Sequence, residues 1–139
     1  MTEASSMDAP AKVLVIEDSP VVQHLLRATL TPLGMELLFA NDGESGLAMA
    51  QIHRPRLITL DIGLPGIDGW EVLAKLRGDS ATSRIAVIVV TAHAQESMRK
   101  AAADRGAEGF VTKPFRPAEL RLVASALLEP APAPVAVNS

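Results

Sequence analysis

The chain has 139 residues, 48% hydrophobic and 21% charged, with a net charge of −3 and no cysteine. That length and balance suit one domain with a full core and exclude the polar, highly charged profile of a disordered chain. The weakly acidic charge, without a basic stripe, argues against direct nucleic-acid binding, and the missing cysteine excludes disulfides, thiolate metal sites and a cysteine nucleophile.

From Lys12 onward, apolar runs alternate with amphipathic stretches. The first strand is expected over Val13–Ile16, followed by a helix with Ser19 as N-cap, Pro20 at its first position and Val22, Leu25, Leu26 and Thr29 at helical spacing. The second strand is Glu36–Ala40, and the next helix runs from about Asp42 with Leu47 and Ala50 inward. Leu57–Leu60 reads as the third strand, before a helix from about Gly69 that places Trp70, Leu73 and Leu76 on one face and stops at Gly78. Ala86–Val90 is the fourth strand. The alanine-rich fourth helix, Ser97–Arg105, offers the core only Met98, Ala101 and Ala102 and should be the loosest. Gly109–Thr112 is the fifth strand, and the last helix starts at Pro117, presents Leu120, Val123 and Leu127, and ends before Pro130.

Nearly continuous aliphatic runs indicate strands covered on both faces, and five strand–helix alternations with right-handed crossovers produce an α/β, doubly wound parallel sheet. Residues 1–10 and the Pro/Ala-rich 130–139 read as flexible tails around a domain spanning 11–129. The start lacks a basic segment followed by an apolar run, and no stretch reaches the roughly 18 apolar residues of a membrane span, so no membrane association is expected. The cytoplasm is the expected compartment.

Ligands in such sheets bind beyond the carboxyl ends of the strands. Those positions hold Glu17 and Asp18 after the first strand, Asp61 after the third, Thr91 after the fourth and Lys113 with Pro114 after the fifth. Carboxylates 4 Å apart repel by about 4 kcal/mol at an effective dielectric near 20, so the rim needs a cation or raised pKa values. Oxygen-only donors favour Mg²⁺, which takes one or two carboxylates together with phosphate oxygens. Asp61 is then a nucleophile for a phosphoryl group, with Lys113 and the metal neutralising its equatorial oxygens and Thr91 donating a hydrogen bond. Singly, each has a plainer reading: Asp61 opening a turn, Glu17 and Asp18 a charged loop, Thr91 a strand residue, Lys113 a solvated lysine. Four such positions at the ends of four strands favour the chemical one.

With Glu17-Asp18, Asp61-Ile-Gly-Leu-Pro-Gly-Ile-Asp-Gly69, Thr91-Ala92 and Lys113-Pro114 in that order, the chain resembles the bacterial response-regulator receiver family from about Lys12 to Leu128. The resemblance implies a single (βα)5 flavodoxin-like domain with strand order 2-1-3-4-5. It implies that Asp61 is the phosphoacceptor and that Asp18, Asp61 and the carbonyl of Gly63 bind Mg²⁺ with help from Glu17. Lys113 and Thr91 would contact the phosphoryl oxygens, the Lys113–Pro114 bond would be cis, and Thr91 and Phe110 would form the switch. Phe110 stands where the family often has tyrosine, so it lends no hydroxyl to an output surface; Gly63 and His93 fall where the family tunes phosphoaspartate lifetime. The implied partners are a sensor histidine kinase or histidine phosphotransfer protein and a downstream protein on the fourth helix, fifth strand and fifth helix, with homodimerisation left open. His24 and His53 read as surface residues, Trp70 as packing, and Asp68 with Gly69 as turn and helix-start chemistry.

Two other classes stay open. An aspartyl-nucleophile phosphohydrolase would pair Asp61 with a second acid two residues on, where Gly63 stands, and would need a cap domain. A receiver-shaped scaffold would bind partners without phosphorylation. The preferred reading is a signalling phosphoacceptor rather than an enzyme.

Overall fold

Residues such as Val13-Leu-Val-Ile16 and Val87-Ile-Val-Val90 are β-branched or aliphatic at every position, which suits strands buried on both faces. In the computed structural model, which describes residues 11–93 and 95–128, they form the interior of a five-stranded parallel sheet. Its strands are β1 (Lys12–Ile16), β2 (Glu36–Ala40), β3 (Leu57–Leu60), β4 (Ala86–Thr91) and β5 (Gly109–Thr112), in the order β2-β1-β3-β4-β5. The helices are α1 (Pro20–Leu30), α2 (Gly43–His53), α3 (Gly69–Gly78), α4 (Glu96–Asp104) and α5 (Pro117–Leu128), with a 3₁₀ turn at Thr31–Leu33 after α1. The doubly wound fold and its strand order are as expected. The tails expected at 1–10 and 130–139, together with Glu129, lie outside the described residues.

Side chains alternate across a strand, so each strand feeds two cores. Val13, Val15, Leu57, Ile88, Val90 and Val111 pack with Leu26 and Leu30 of α1 and Leu120 and Ala124 of α5. Leu14, Ile16, Ile58, Leu60 and Val87 face Ala50 of α2 and Val72, Leu73 and Leu76 of α3. A third, smaller cluster joins Ile62, Val89 and Ala102, with Trp70, Met98, Ala107 and Phe110 against it. It seats α4.

The helix starts follow their capping chemistry. Ser19 accepts from the Val22 amide at 3.3 Å, Asp42 from Ser45 at 2.8 Å and Asp68 from Glu71 at 2.9 Å, with Pro20 at the first position of α1. Asp42 is held below the usual carboxylate range chiefly by the Ser45 amide. Three readings shift. Leu25 is 39% exposed, because α1 turns Leu26, Thr29 and Leu30 inward and leaves Leu25 on the flank. Thr91 closes β4, paired with Thr112, instead of following it. The fourth helix starts and ends one residue earlier than its composition suggested, and it fully buries only Ala102.

Candidate functional site

Ladder hydrogen bonds run one residue beyond the paired strands and fix the rim. The Glu17 amide donates to the Ala40 carbonyl at 3.0 Å, that of Asp61 to Ile16 at 3.1 Å, and that of Lys113 to Thr91 at 2.8 Å. Three of the four expected positions are thus anchored by backbone on neighbouring strands, and the fourth, Thr91, is itself an acceptor for Lys113. Glu17 and Asp61 are buried, at 1% and 7% exposure, while Asp18 is exposed. The loop after β1 is tied by Gln23, whose amide donates to the Glu17 carbonyl at 2.6 Å and to Asn41 Oδ1 at 2.7 Å.

One oxygen from each of Glu17, Asp18 and Asp61 lies within 4.8 Å of the others. The cation that reconciles them in the protein itself is Lys113, whose Nζ is 2.9 Å from Glu17 Oε1 and 3.3 Å from Asp61 Oδ2. Burial pushes the Glu17 carboxyl up, and the neighbouring Asp61 charge adds to this; Lys113 and the Ser19 amide, which donates to Oε2 at 3.1 Å, oppose it without cancelling it. For Lys113, burial alone would lower the pKa, but bonding to Glu17 and the charges of Asp61 and Glu17 carry it above the ordinary lysine value. It is therefore an ammonium at neutral pH.

Two further groups face Asp61 or its neighbours. The Gly63 amide donates to Asp61 Oδ1 at 3.1 Å, and a side chain at Gly63 would meet only that oxygen, at 4.0 Å, so this side of the carboxylate is open. Thr91 Oγ1 accepts from the His93 amide at 3.3 Å, which leaves the buried hydroxyl its proton to donate. Glu17 Oε1 is buried, with the Lys113 ammonium at 2.9 Å as its ion-pair partner. Three carboxylates gathered beside a single ammonium leave negative charge uncompensated, and oxygen donors with no sulfur or imidazole among them fit a hard divalent cation such as Mg²⁺.

Gly69 has a role that turn chemistry alone does not convey. A Cβ there would fall 2.5 Å from both the Asp61 carbonyl oxygen and the Ile62 Cα, while its amide donates to the Ile62 carbonyl at 2.9 Å. The start of α3 thus closes directly on the backbone of Asp61, and only glycine fits the approach. The Lys113–Pro114 bond is cis, as the resemblance implied. Phe110 is half-buried on β5, against the cluster that seats α4. His24 and His93 are exposed, and His53, at the end of α2, is half-buried. Trp70 is half-buried and packs as expected.

Residues 13–125 match the family described as the response regulator receiver domain. Protein PilH of Pseudomonas aeruginosa is 36% identical over 104 residues, covering 75% of this chain and 86% of PilH. Several other curated relatives, transcriptional regulators among them, are longer, and the chain spans about half their length, 47% of Escherichia coli KdpE for example. Among solved structures, the Vibrio cholerae chemotaxis protein CheY4 superposes with a TM-score of 0.80 at 30% identity, covering 86% of this chain and all of that one. The receiver domain of a P. aeruginosa sensor histidine kinase, solved with a magnesium ion in its active-site cleft, gives a TM-score of 0.76 at 30% identity, covering 86% of this chain and 98% of that one.

Proposed function

This chain belongs to the response-regulator receiver family of two-component systems, and we propose that Asp61 is its phosphoacceptor, charged by a sensor histidine kinase or a histidine phosphotransfer protein. The observation that carries this reading is the Lys113 ammonium held against Asp61 Oδ2 at 3.3 Å, inside a rim that also gathers Glu17 and Asp18. An Asp61 oxygen attacks phosphorus in line, the new P–O bond forming as the P–N bond breaks toward the imidazole. Lys113 pairs with the phosphoryl oxygens, and the Thr91 hydroxyl donates to another.

Receiver domains bind Mg²⁺ in such an acidic site, and here Asp18, Asp61 and the Gly63 carbonyl would hold it with help from Glu17. When bound, the ion supplies positive charge for the phosphoryl oxygens. Lys113 keeps the buried carboxylates tolerable and reaches the same oxygens from the β5 side.

The output is conformational. Moving a two-state domain from mostly inactive to mostly active takes about 5.5 kcal/mol of differential stabilisation, within reach of a phosphoryl group paired with Lys113 and the metal. Thr91, at the end of β4, and Phe110, on β5, are the switch, and α4, β5 and α5 form the face a downstream protein reads. We take 11–129 as the receiver and the cytoplasm as its compartment; among the described residues no helix is long and apolar enough to cross a membrane.

The test is intact-mass analysis after incubation with phosphoramidate and Mg²⁺. A single Mg²⁺-dependent phosphoryl adduct on the wild type, absent from Asp61→Asn, is expected. An adduct that persists in Asp61→Asn, or none on folded wild type that binds Mg²⁺, sinks the assignment and favours a scaffold that works without phosphorylation.

A further inference from the structure

The two ends of α4 are held by different means. At its C-terminal end the Arg105 amide donates to the Ala101 and Ala102 carbonyls at 3.0 and 3.2 Å, and its guanidinium lies 4.9 Å from the centre of the Trp70 ring. Arg77 reaches across from α3 to the Gly106 carbonyl at 2.6 Å and to the Ile85 carbonyl at 2.8 Å, and pairs with Glu108 at 2.8 Å. This end is pinned.

The N-terminal half has little comparable support. Gln95 makes no side-chain cap, Glu96 and Ser97 are exposed, and Met98 is half-buried. What ties this half to the sheet through charge is Arg99, whose guanidinium lies 4.7 Å from the centre of the Phe110 ring on β5. Among the described residues Arg99 makes no ion pair, so its charge is not committed elsewhere. Phenylalanine has no hydroxyl with which to fix its ring by a hydrogen bond. The ring's seat against the cluster under α4 therefore rests on packing and on this stacked cation.

We propose that Arg99 is the positioning residue of the switch: stacked over Phe110 it latches the ring in its present seat and the N-terminal half of α4 against β5, and the latch opens when Asp61 is phosphorylated. The inference rests on the reading of Asp61 as the phosphoacceptor. A cation over a partly exposed aromatic face shifts a two-state balance by about two- to five-fold. Coupling is reciprocal for equilibria, so loosening the latch favours the phosphorylated arrangement by the same factor that phosphorylation favours loosening. Arg105, on the pinned end, shares the stacking chemistry but not the effect.

The experiment uses the full chain with phosphoramidate and Mg²⁺, comparing wild type, Arg99→Gln, Arg99→Lys, Phe110→Leu and Arg99→Gln with Phe110→Leu, after urea midpoints establish that each is folded. In unphosphorylated wild type the Arg99 δ-proton resonances are expected upfield from the Phe110 ring current, and they should lose that shift on phosphorylation. Arg99→Gln should move the Phe110 ring resonances part-way toward their phosphorylated positions and raise the steady-state phosphorylated fraction by up to about two- to five-fold at sub-saturating donor. Arg99→Lys should lie between, and the effect of Arg99→Gln should vanish when Phe110 is already leucine, which a general loosening of α4 would not produce. Absence of any adduct on wild type overturns the Asp61 reading and the latch with it. A normal adduct together with unchanged Phe110 resonances in Arg99→Gln, or with the same gain in the Phe110→Leu background, overturns the latch alone.

Discussion

Helices α3 and α4 lie on the same side of the sheet, yet they are built for opposite tasks. Across ten residues α3 buries Gly69, Val72, Leu73 and Leu76, its Asp68 caps the Glu71 amide, and its first residue closes on the Asp61 backbone. Across nine residues α4 buries Ala102 alone and has no side-chain cap. At about 1.5–3 kcal/mol for each large aliphatic side chain fully buried, α3 is fixed by packing that α4 does not have. On the proposed reading of Asp61, the difference separates the part that holds the acceptor still from the part that moves in response, because local openings draw on elements with few buried apolar contacts.

The two helices differ most in what they give the core. Leu73→Ala, at a fully buried position, should cost about 2–5 kcal/mol in urea unfolding, whereas Met98→Ala on α4 should cost under about 1 kcal/mol. Equal losses would mean that α4 is as firmly packed as α3. Next in size is the tie between them. Arg77→Ala leaves the Gly106, Ser83 and Ile85 carbonyls without their guanidinium donor and should lower stability by about 1–3 kcal/mol. It should also speed amide exchange in α4 more than in α3; the reverse pattern would place the pinned end of α4 elsewhere.

The smallest effect concerns the site. Glu17 has its pKa raised in the folded protein by burial, so the native state keeps this proton to higher pH than the unfolded chain does. Its contribution to stability therefore falls as pH rises from about 4.5 through the raised value, and above that window the buried charge carries its full cost. A cation binding the carboxylate offsets that cost only once the proton has left. Melting curves with and without Mg²⁺ should thus show a gain that is absent near pH 4.5 and grows toward neutrality, about 1 kcal/mol at several times the dissociation constant. A gain independent of pH would remove Glu17 from the metal site.

Most of the sheet was readable because its strands are aliphatic at successive positions, a pattern that only two-sided burial explains. The rim was readable for a related reason: Glu17, Asp61 and Lys113 interrupt or end such runs with charge, and a fold that aligns strand ends must bring those charges together. Strand order, however, came through the family likeness and not from periodicity. What stayed hidden depends on partners distant in sequence. Arg77 bonds to carbonyls at Ser83, Ile85 and Gly106, which carry no side-chain signature. In sequence Gly69 is an ordinary helix start; only the fold brings the Asp61 backbone to 2.5 Å from where a Cβ would lie. Leu25 misled because a helical stripe has soft edges, and one position of rotation moves a leucine from core to flank.

On the proposed reading, phosphorylation of Asp61 is held by α3 and read through α4. Hydrogen exchange followed by mass spectrometry, on protein whose phosphoryl adduct has been verified, compares the two helices in one experiment. Altered exchange is expected from Thr91 through Phe110, with Gly69–Gly78 unchanged. Equal changes in both helices, or none beyond Asp61 itself, would contradict it.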